Sequence, residues 1–407
     1  MTVEEEIKQL EEQLEKNNYK LQQLDIQQAA YKLMINSAYG ALSSRKNPVG
    51  DDDIGNAITV MGSTSIQHVN KIVIDFVRMK MIERLEKEIA QNPGNVDELK
   101  IELEQVRHAK DIPGVLVAND TDSAMFSLSN CGVKICKGDH VTEEGYDLVQ
   151  ECDDYINTEF VKWYENLTNS HNCRLNFKRE KICDYGIWLK KKGTRKYDDA
   201  DEAKKNYVVH ILDNEGVKHP KFKYTGVKFA KSVIPGQLKE LGKKIVENMI
   251  LTQDRQCTDR LVQKLYNDFI NLPIDSKAII QRCRDMKKYD NKGSGEFLLK
   301  TPGHIRAALS YNRLIKELKL NKYPQIKSGD IAKIVFVEPN KFGIERLAYL
   351  DTWPKEFDDY FTIDNKIMFE NILYEEIKRF YKSVGWPCFN PTENYAFSLF
   401  DLLEIEQ

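Results

Sequence analysis

No apolar run among the 407 residues approaches the roughly 20 needed to span a bilayer. No secretory leader is visible, because Met1 runs straight into Glu4, Glu5 and Glu6. A membrane or exported protein is therefore not expected, and the expected compartment is a cytosol. The eight cysteines include no CxxC pair, so neither a disulfide framework nor a zinc finger is expected. Cys131, Cys136, His140 and Cys152 come nearest to a zinc set but lack its paired spacing. Positive charge is not in excess: the formal net charge is −3, so overall charge announces no nucleic-acid partner. What remains is 41% hydrophobic and 30% charged, a globular composition long enough for two or three domains.

Two stretches carry chemistry. In Val115–Leu128, strand-like apolar runs flank Asp120-Thr121-Asp122-Ser123, which predicts a β-hairpin with two carboxylates at its tip. Two adjacent acids repel unless a cation neutralises them, and carboxylate oxygen with substrate phosphate suits Mg²⁺. The competing reading is an ordinary turn, since Asp is a turn residue in any case. In Lys32–Gly40 the pattern is helical, and Lys32, Asn36, Tyr39 and Ser43 recur at steps of four, three and four on one face. A cation, an amide and an aromatic so placed suit a triphosphate and a base.

With those residues the chain resembles the family B DNA polymerases, above all the replicative enzymes of T-even-like tailed phages. Their fingers helix carries a Lys, three residues, then Asn-Ser-x-Tyr-Gly, and their palm hairpin carries Asp-Thr-Asp-Ser. The resemblance implies an α+β, right-hand fold: a returning fingers helix over 1–43, a palm over 44–234, a mainly helical thumb over 235–389 and a tail over 390–407. It implies Asp122 as the firmer Mg²⁺ ligand with Asp120 beside it, and Glu180 as a further palm carboxylate. Lys178 stands where the phage enzymes usually have an Asp. Lys32 would contact the triphosphate of the incoming dNTP and protonate the leaving pyrophosphate, Asn36 would orient the phosphates or the fingers helix, Tyr39 would line the pocket, and Gly40 would admit template where a Cβ would clash.

The family's other catalytic motif, Asp followed by Ser-Leu-Tyr-Pro, occurs nowhere in this sequence. No exonuclease carboxylates are recognised either, because Asp213-Asn214-Glu215, followed by Gly216, reads as a hairpin turn. Two-metal phosphoryl transfer needs carboxylates on both sides of the ion pair. The expectation is therefore the carboxy-terminal subunit of a split polymerase, completed by an amino-terminal fragment. It would act on primer–template DNA and dNTPs in the cytoplasm of an infected bacterium. The alternative is a noncatalytic subunit that binds DNA and tethers the sliding clamp.

Ile7, Leu10, Leu14, Leu21, Leu24 and Gln28 fit heptad a and d positions, interrupted at Asn17. Self-association and pairing with an absent fingers helix are both open. A long helix is expected from Asp53. Phe76–Arg107 reads as a charged, solvated helical pair broken at Pro93-Gly94, Gly145–Leu167 as a helix, and Leu175–Ile182 as a strand. From Asn176 to Lys231 the sequence holds fifteen Lys and Arg against eight Asp and Glu. Such an excess suits a phosphate backbone, though a charge run is also often just a solvated face. Lys204-Lys205-Asn206-Tyr207 resembles the family's Lys-Lys-x-Tyr element, and Tyr224-Thr225-Gly226-Val227 with Lys231 resembles the strand into the thumb. Arg306 and Arg313 are expected phosphate contacts, with His304 a core histidine. Met368–Val384 reads as one amphipathic helix. At the tail, Phe397, Leu399, Phe400 and Leu402 resemble the family's clamp-docking peptide, with a packed terminal helix as the other reading.

Overall fold

The computed structural model describes residues 3–91, 96–120, 123–190, 202–290 and 300–392. They divide into two units, Met1–Ile135 with Glu143–Lys178, and Cys136–Thr142 with Arg179–Gln407. The fold class is α+β, with small antiparallel sheets. Among the described residues no helix is long and apolar enough to cross a membrane.

Two 40-residue helices, α1 (Val3–Leu42) and α2 (Asp52–Gln91), open the first unit. Their corner depends on glycine. A Cβ on Gly55 would lie 2.7 Å from Ser43 Cβ, and one on Gly50 would lie 1.9 Å from the Ser44 carbonyl oxygen. The Asp51 side chain accepts the Asp53 N–H at 2.8 Å, satisfying an orphan donor at the start of α2. Beyond Ser65, α2 buries Val69, Val73, Phe76 and Val77. Against these lie Leu148, Cys152, Ile156 and Phe160 of α4 (Glu143–Thr168), spaced by four so that they fall on one face. The charged α3 (Val96–His108) joins α2 through a small core of Leu85, Leu103 and Val106. Arg107 pairs with Glu86 at 2.8 Å and Glu104 at 2.9 Å, as expected of a solvated helical pair.

The expected hairpin forms in this unit. β1 (Leu116–Asp120) pairs antiparallel with β2 (Ser123–Phe126), Asp120 opposite Ser123. Val115 and Leu128 at its base belong to the α2–α4 core, so the apolar flanks seen in the sequence anchor the polar tip.

In the second unit, β3 (Cys136–Lys137) and β4 (His140–Val141) make a small hairpin. β5 (Lys181–Lys190), β6 (Glu202–Asn214) and β7 (Lys221–Thr225) form an antiparallel sheet in that order. The strand expected over Leu175–Ile182 begins instead at Lys181, and Leu175–Glu180 is irregular. The cause lies in the first unit. Phe177 gives its N–H to Asn157 Oδ1 at 2.9 Å and accepts from Asn157 Nδ2 at 2.8 Å, so a side chain holds the backbone groups a ladder would use.

Downstream run α5 (Gly236–Thr252), α6 (Arg255–Asn271), α7 (Ile274–Lys277), β8 (Ile279–Arg282), α8 (Met286–Tyr289) and α9 (Gly303–Glu317). β9 (Ile331–Phe336) lies between β8 and β10 (Arg346–Tyr349) in a second antiparallel sheet. The helix read over Met368–Val384 is three pieces: α10 (Asn365–Phe369), a π-helical segment over Glu370–Tyr374, and α11 (Glu375–Ser383). One apolar core runs from Ile187, Leu189 and Val208 of the first sheet through α5, α6 and α9 to Phe380 of α11. Two buried charges tie this core together. Glu376 accepts the Lys228 N–H at 2.7 Å and an Arg379 N–H at 2.8 Å. Lys277 donates to Asn365 Oδ1 at 2.6 Å and the Ile270 carbonyl at 3.1 Å, and burial lowers its pKa.

Candidate functional site

The first candidate group stands on α1. Lys32, Asn36, Tyr39 and Gly40 are all exposed, and space is open where a Cβ on Gly40 would point. Tyr39 is anchored at its tip, its hydroxyl 3.0 Å from Thr59 Oγ1, which itself donates to the Gly55 carbonyl at 3.0 Å. The α1–α2 corner therefore fixes the aromatic group while Lys32 and Asn36 stay open. Continued through Tyr31, Ile35 and Ala38, the a/d row passes along the same helix about 100° from the Lys32–Asn36–Tyr39 row. A helix seated on the apolar row would leave the polar row uncovered.

The second group is the hairpin tip. The register of β1 and β2 leaves Thr121 and Asp122 as the connection, but both lie outside the described residues, as does the side chain of Asp120. Glu180 stands immediately before β5, its side chain 63% exposed, accepting from Lys181 Nζ at 2.6 Å. Three carboxylates are oxygen donors of the kind hard Mg²⁺ takes. Among the described residues, however, no three His, Cys, Asp or Glu are gathered to hold an ion.

The basic element is placed less uniformly than its sequence pattern. The Lys204 side chain lies outside the described residues, and Lys205 is exposed with a left-handed backbone, φ 58°. Tyr207 is 5% exposed, its ring stacked 6.1 Å from that of Trp188. The ring is thus packed into the sheet, and the exposed member of the element among the described residues, Lys205, is cationic. A Cβ on Gly226, at φ 67°, would fall 1.9 Å from the Lys205 carbonyl oxygen, so glycine is required where β7 ends against Lys205.

Lys231 is exposed where the chain enters the helices. On α9, Arg306 and Arg313 lie seven residues apart on one face; Arg306 is exposed, and Arg313 reaches Glu317 at 3.6 Å. His304 is half-buried, and burial lowers its pKa, in keeping with a packed neutral histidine. The tail residues Phe397, Leu399, Phe400 and Leu402 lie outside the described residues.

Two buried pairs had no local signal. Asp184 and His210 meet across β5 and β6 at 2.9 Å, and Arg179 reaches Asp213 across 34 positions of sequence. Neither spacing has a helical or strand period. Only strand pairing brings these residues together.

Residues 2–178, which include both motifs, match the sequence profile of DNA polymerase family B. Over 373 residues, 87% of the chain, the sequence is 23% identical to the DNA-directed DNA polymerase of Enterobacteria phage T4, covering 36% of that protein. Over 333 residues, 79% of the chain, it is 25% identical to the DNA-directed DNA polymerase of Escherichia phage RB69, covering 32%. The chain spans about a third of the length of these relatives.

Proposed function

We propose that this chain, a relative of the family B DNA polymerases of tailed phages, is the carboxy-terminal part of a DNA-templated DNA polymerase. Its catalytic centre would be completed by an amino-terminal fragment carrying the palm aspartate motif that this sequence lacks. The observation that supports this reading is a conjunction. One unit carries both the Asp120–Ser123 hairpin, anchored on a buried core, and a helix that presents Lys32 and Asn36 to solvent with Tyr39 fixed by Thr59. In this reading 1–43 is the returning fingers helix, 44–234 the palm, 235–389 the thumb and 390–407 a sliding-clamp peptide.

The residues divide the work by their chemistry. Lys32 binds the triphosphate of the incoming dNTP and hands a proton from Nζ to the leaving pyrophosphate. Asn36 orients the phosphates and Tyr39 lines the pocket under the nascent base pair. The bare Cα of Gly40 admits the template strand. Lys204, Lys205, Lys231, Arg306 and Arg313 meet phosphates of the primer–template, positioning it without reading sequence. Asp122, Asp120 and Glu180 would hold Mg²⁺, which when bound polarises the phosphoryl group and favours the 3′-oxygen nucleophile.

The apolar row of α1 is the surface on which the fragment's helix would seat. Ile7, Leu10, Leu14, Leu21 and Leu24 are each at least 50% exposed, an uncommon state for a regular apolar row. The second reading, a noncatalytic DNA-binding and clamp-tethering subunit, accounts for the basic residues but not for the hairpin tip together with Lys32 and Tyr39.

Primer extension with Mg²⁺ and four dNTPs decides between them. The chain should be silent alone, active with the amino-terminal fragment, and silent again as Asp122→Ala in the same complex. A stable complex that binds primer–template but never extends it would leave the tethering reading standing.

A further inference from the structure

Asp213 is a fully buried carboxylate, its side chain 0% exposed. Its Oδ1 receives the Arg179 guanidinium and the Gly216 N–H, the latter at 3.0 Å. Gly216 belongs to the two-residue turn between β6 and β7. Asn214 and Val217 exchange hydrogen bonds of 3.1 and 3.0 Å across it, and Glu215 and Gly216 take φ of 52° and 92°. Positive φ at both central positions matches the hairpin twist, but it is costly at a glutamate. The Glu215 N–H is used at once: it donates to the Glu180 carbonyl at 2.7 Å.

One buried carboxylate thus grips the neighbourhood of Glu180 at two points. It holds the preceding residue by its side chain, and through the turn it holds the Glu180 backbone. The Glu180 side chain itself remains 63% exposed. A buried ion pair adds little net stability because desolvation offsets its attraction, and what the Arg179–Asp213 pair does add is a fixed geometry beside Glu180. Groups that hold metal-binding side chains in place act in this way.

We propose that Asp213 and Arg179 are positioning residues that fix Glu180 through the Glu215–Gly216 turn, so that its carboxylate is aimed at the divalent cation. The inference rests on the proposed metal role of Glu180. It gives Asp213 a task that the sequence pattern, a plain hairpin turn, does not disclose.

Mn²⁺ binding to the primer–template complex, followed by electron paramagnetic resonance, tests the idea, with hydrogen exchange at the Glu215 amide as a second readout. Asp213→Asn and Arg179→Gln should each weaken Mn²⁺ roughly tenfold and speed exchange at Glu215. Primer–template affinity should stay within about twofold, since no DNA-facing cation is touched. Glu180→Gln should weaken Mn²⁺ at least as much while leaving the Glu215 amide protected.

Unchanged Mn²⁺ affinity in Asp213→Asn and Arg179→Gln, beside a loss in Glu180→Gln, overturns the positioning role alone. Unchanged affinity in Glu180→Gln removes the metal role of Glu180 and the positioning role with it. Should Asp213→Asn not fold, Arg179→Gln carries the test, because that side chain is 26% exposed and its replacement can be hydrated.

Discussion

On α4, Leu148, Cys152, Ile156 and Phe160 are between 0 and 5% exposed, whereas on α1 Ile7, Leu10, Leu14, Leu21 and Leu24 are between 50 and 61% exposed. Both rows repeat at helical spacing, and a periodicity count alone does not separate them. They differ in what faces them. The α4 row meets Val69, Val73 and Phe76 of α2, while the α1 row meets solvent. Full burial of a Leu or Ile side chain contributes about 1.5–3 kcal/mol, so α4 draws on that energy in folding and the exposed α1 row does not. The buried row packs in the core that anchors the β1–β2 hairpin, and the exposed row runs beside the polar row of Lys32, Asn36 and Tyr39.

The largest effect should come from the buried side. Phe160→Ala, at a position 0% exposed, should lower stability by about 3–5 kcal/mol, seen as a shifted urea midpoint. A shift as small as that of an α1 substitution would break the comparison. On the exposed helix, Lys32→Ala in the assembled enzyme should slow nucleotide incorporation about 100-fold, as loss of a proton donor does, and leave primer–template affinity unchanged. Equal loss of rate and affinity would move Lys32 from chemistry to DNA binding. Leu14→Ala or Leu21→Ala should weaken capture of the amino-terminal fragment by about 1.5 kcal/mol each and leave the chain's own urea midpoint in place. Sedimentation of the chain alone separates this from self-association, which would appear as a dimer lost in the same variants.

The smallest expected effect is a pH dependence of the α2–α4 core. Burial pushes the Cys131 thiol up to about 11 and the Cys152 thiol up to about 12. Each is released to a thiolate more readily in the unfolded chain, where the ordinary value is 9.0. Their stability contribution is therefore full below pH 9 and declines as pH rises toward 11–12, by about 1 kcal/mol per thiol at pH 10. Cys152→Ser should flatten part of that decline in urea titrations at pH 8, 9 and 10. An identical slope in the variant would assign the pH dependence elsewhere.

Much of the site was legible because its signals are local. Two apolar runs around Asp120–Ser123 specify a hairpin whatever surrounds it, and steps of four, three and four put Lys32, Asn36, Tyr39 and Ser43 on one face of any helix. The strand start was misplaced because Phe177 looks like any apolar strand residue. Its backbone partner is Asn157, 20 residues earlier, and only folding brings that side chain within reach. Tyr207 had the opposite problem, since an aromatic after two lysines resembles an exposed contact until Trp188 stacks on it across the sheet.

The sequence by itself determined most of the helices, the hairpin and the polar row of α1, because each depends on periods spanning a few residues. Tertiary structure alone decided which apolar row is buried and which is exposed. It alone decided that Asp213 holds Arg179 and the turn beside Glu180 rather than merely closing a hairpin. Burial and long-range pairing depend on what the rest of the chain brings opposite a residue, and no local spacing records that.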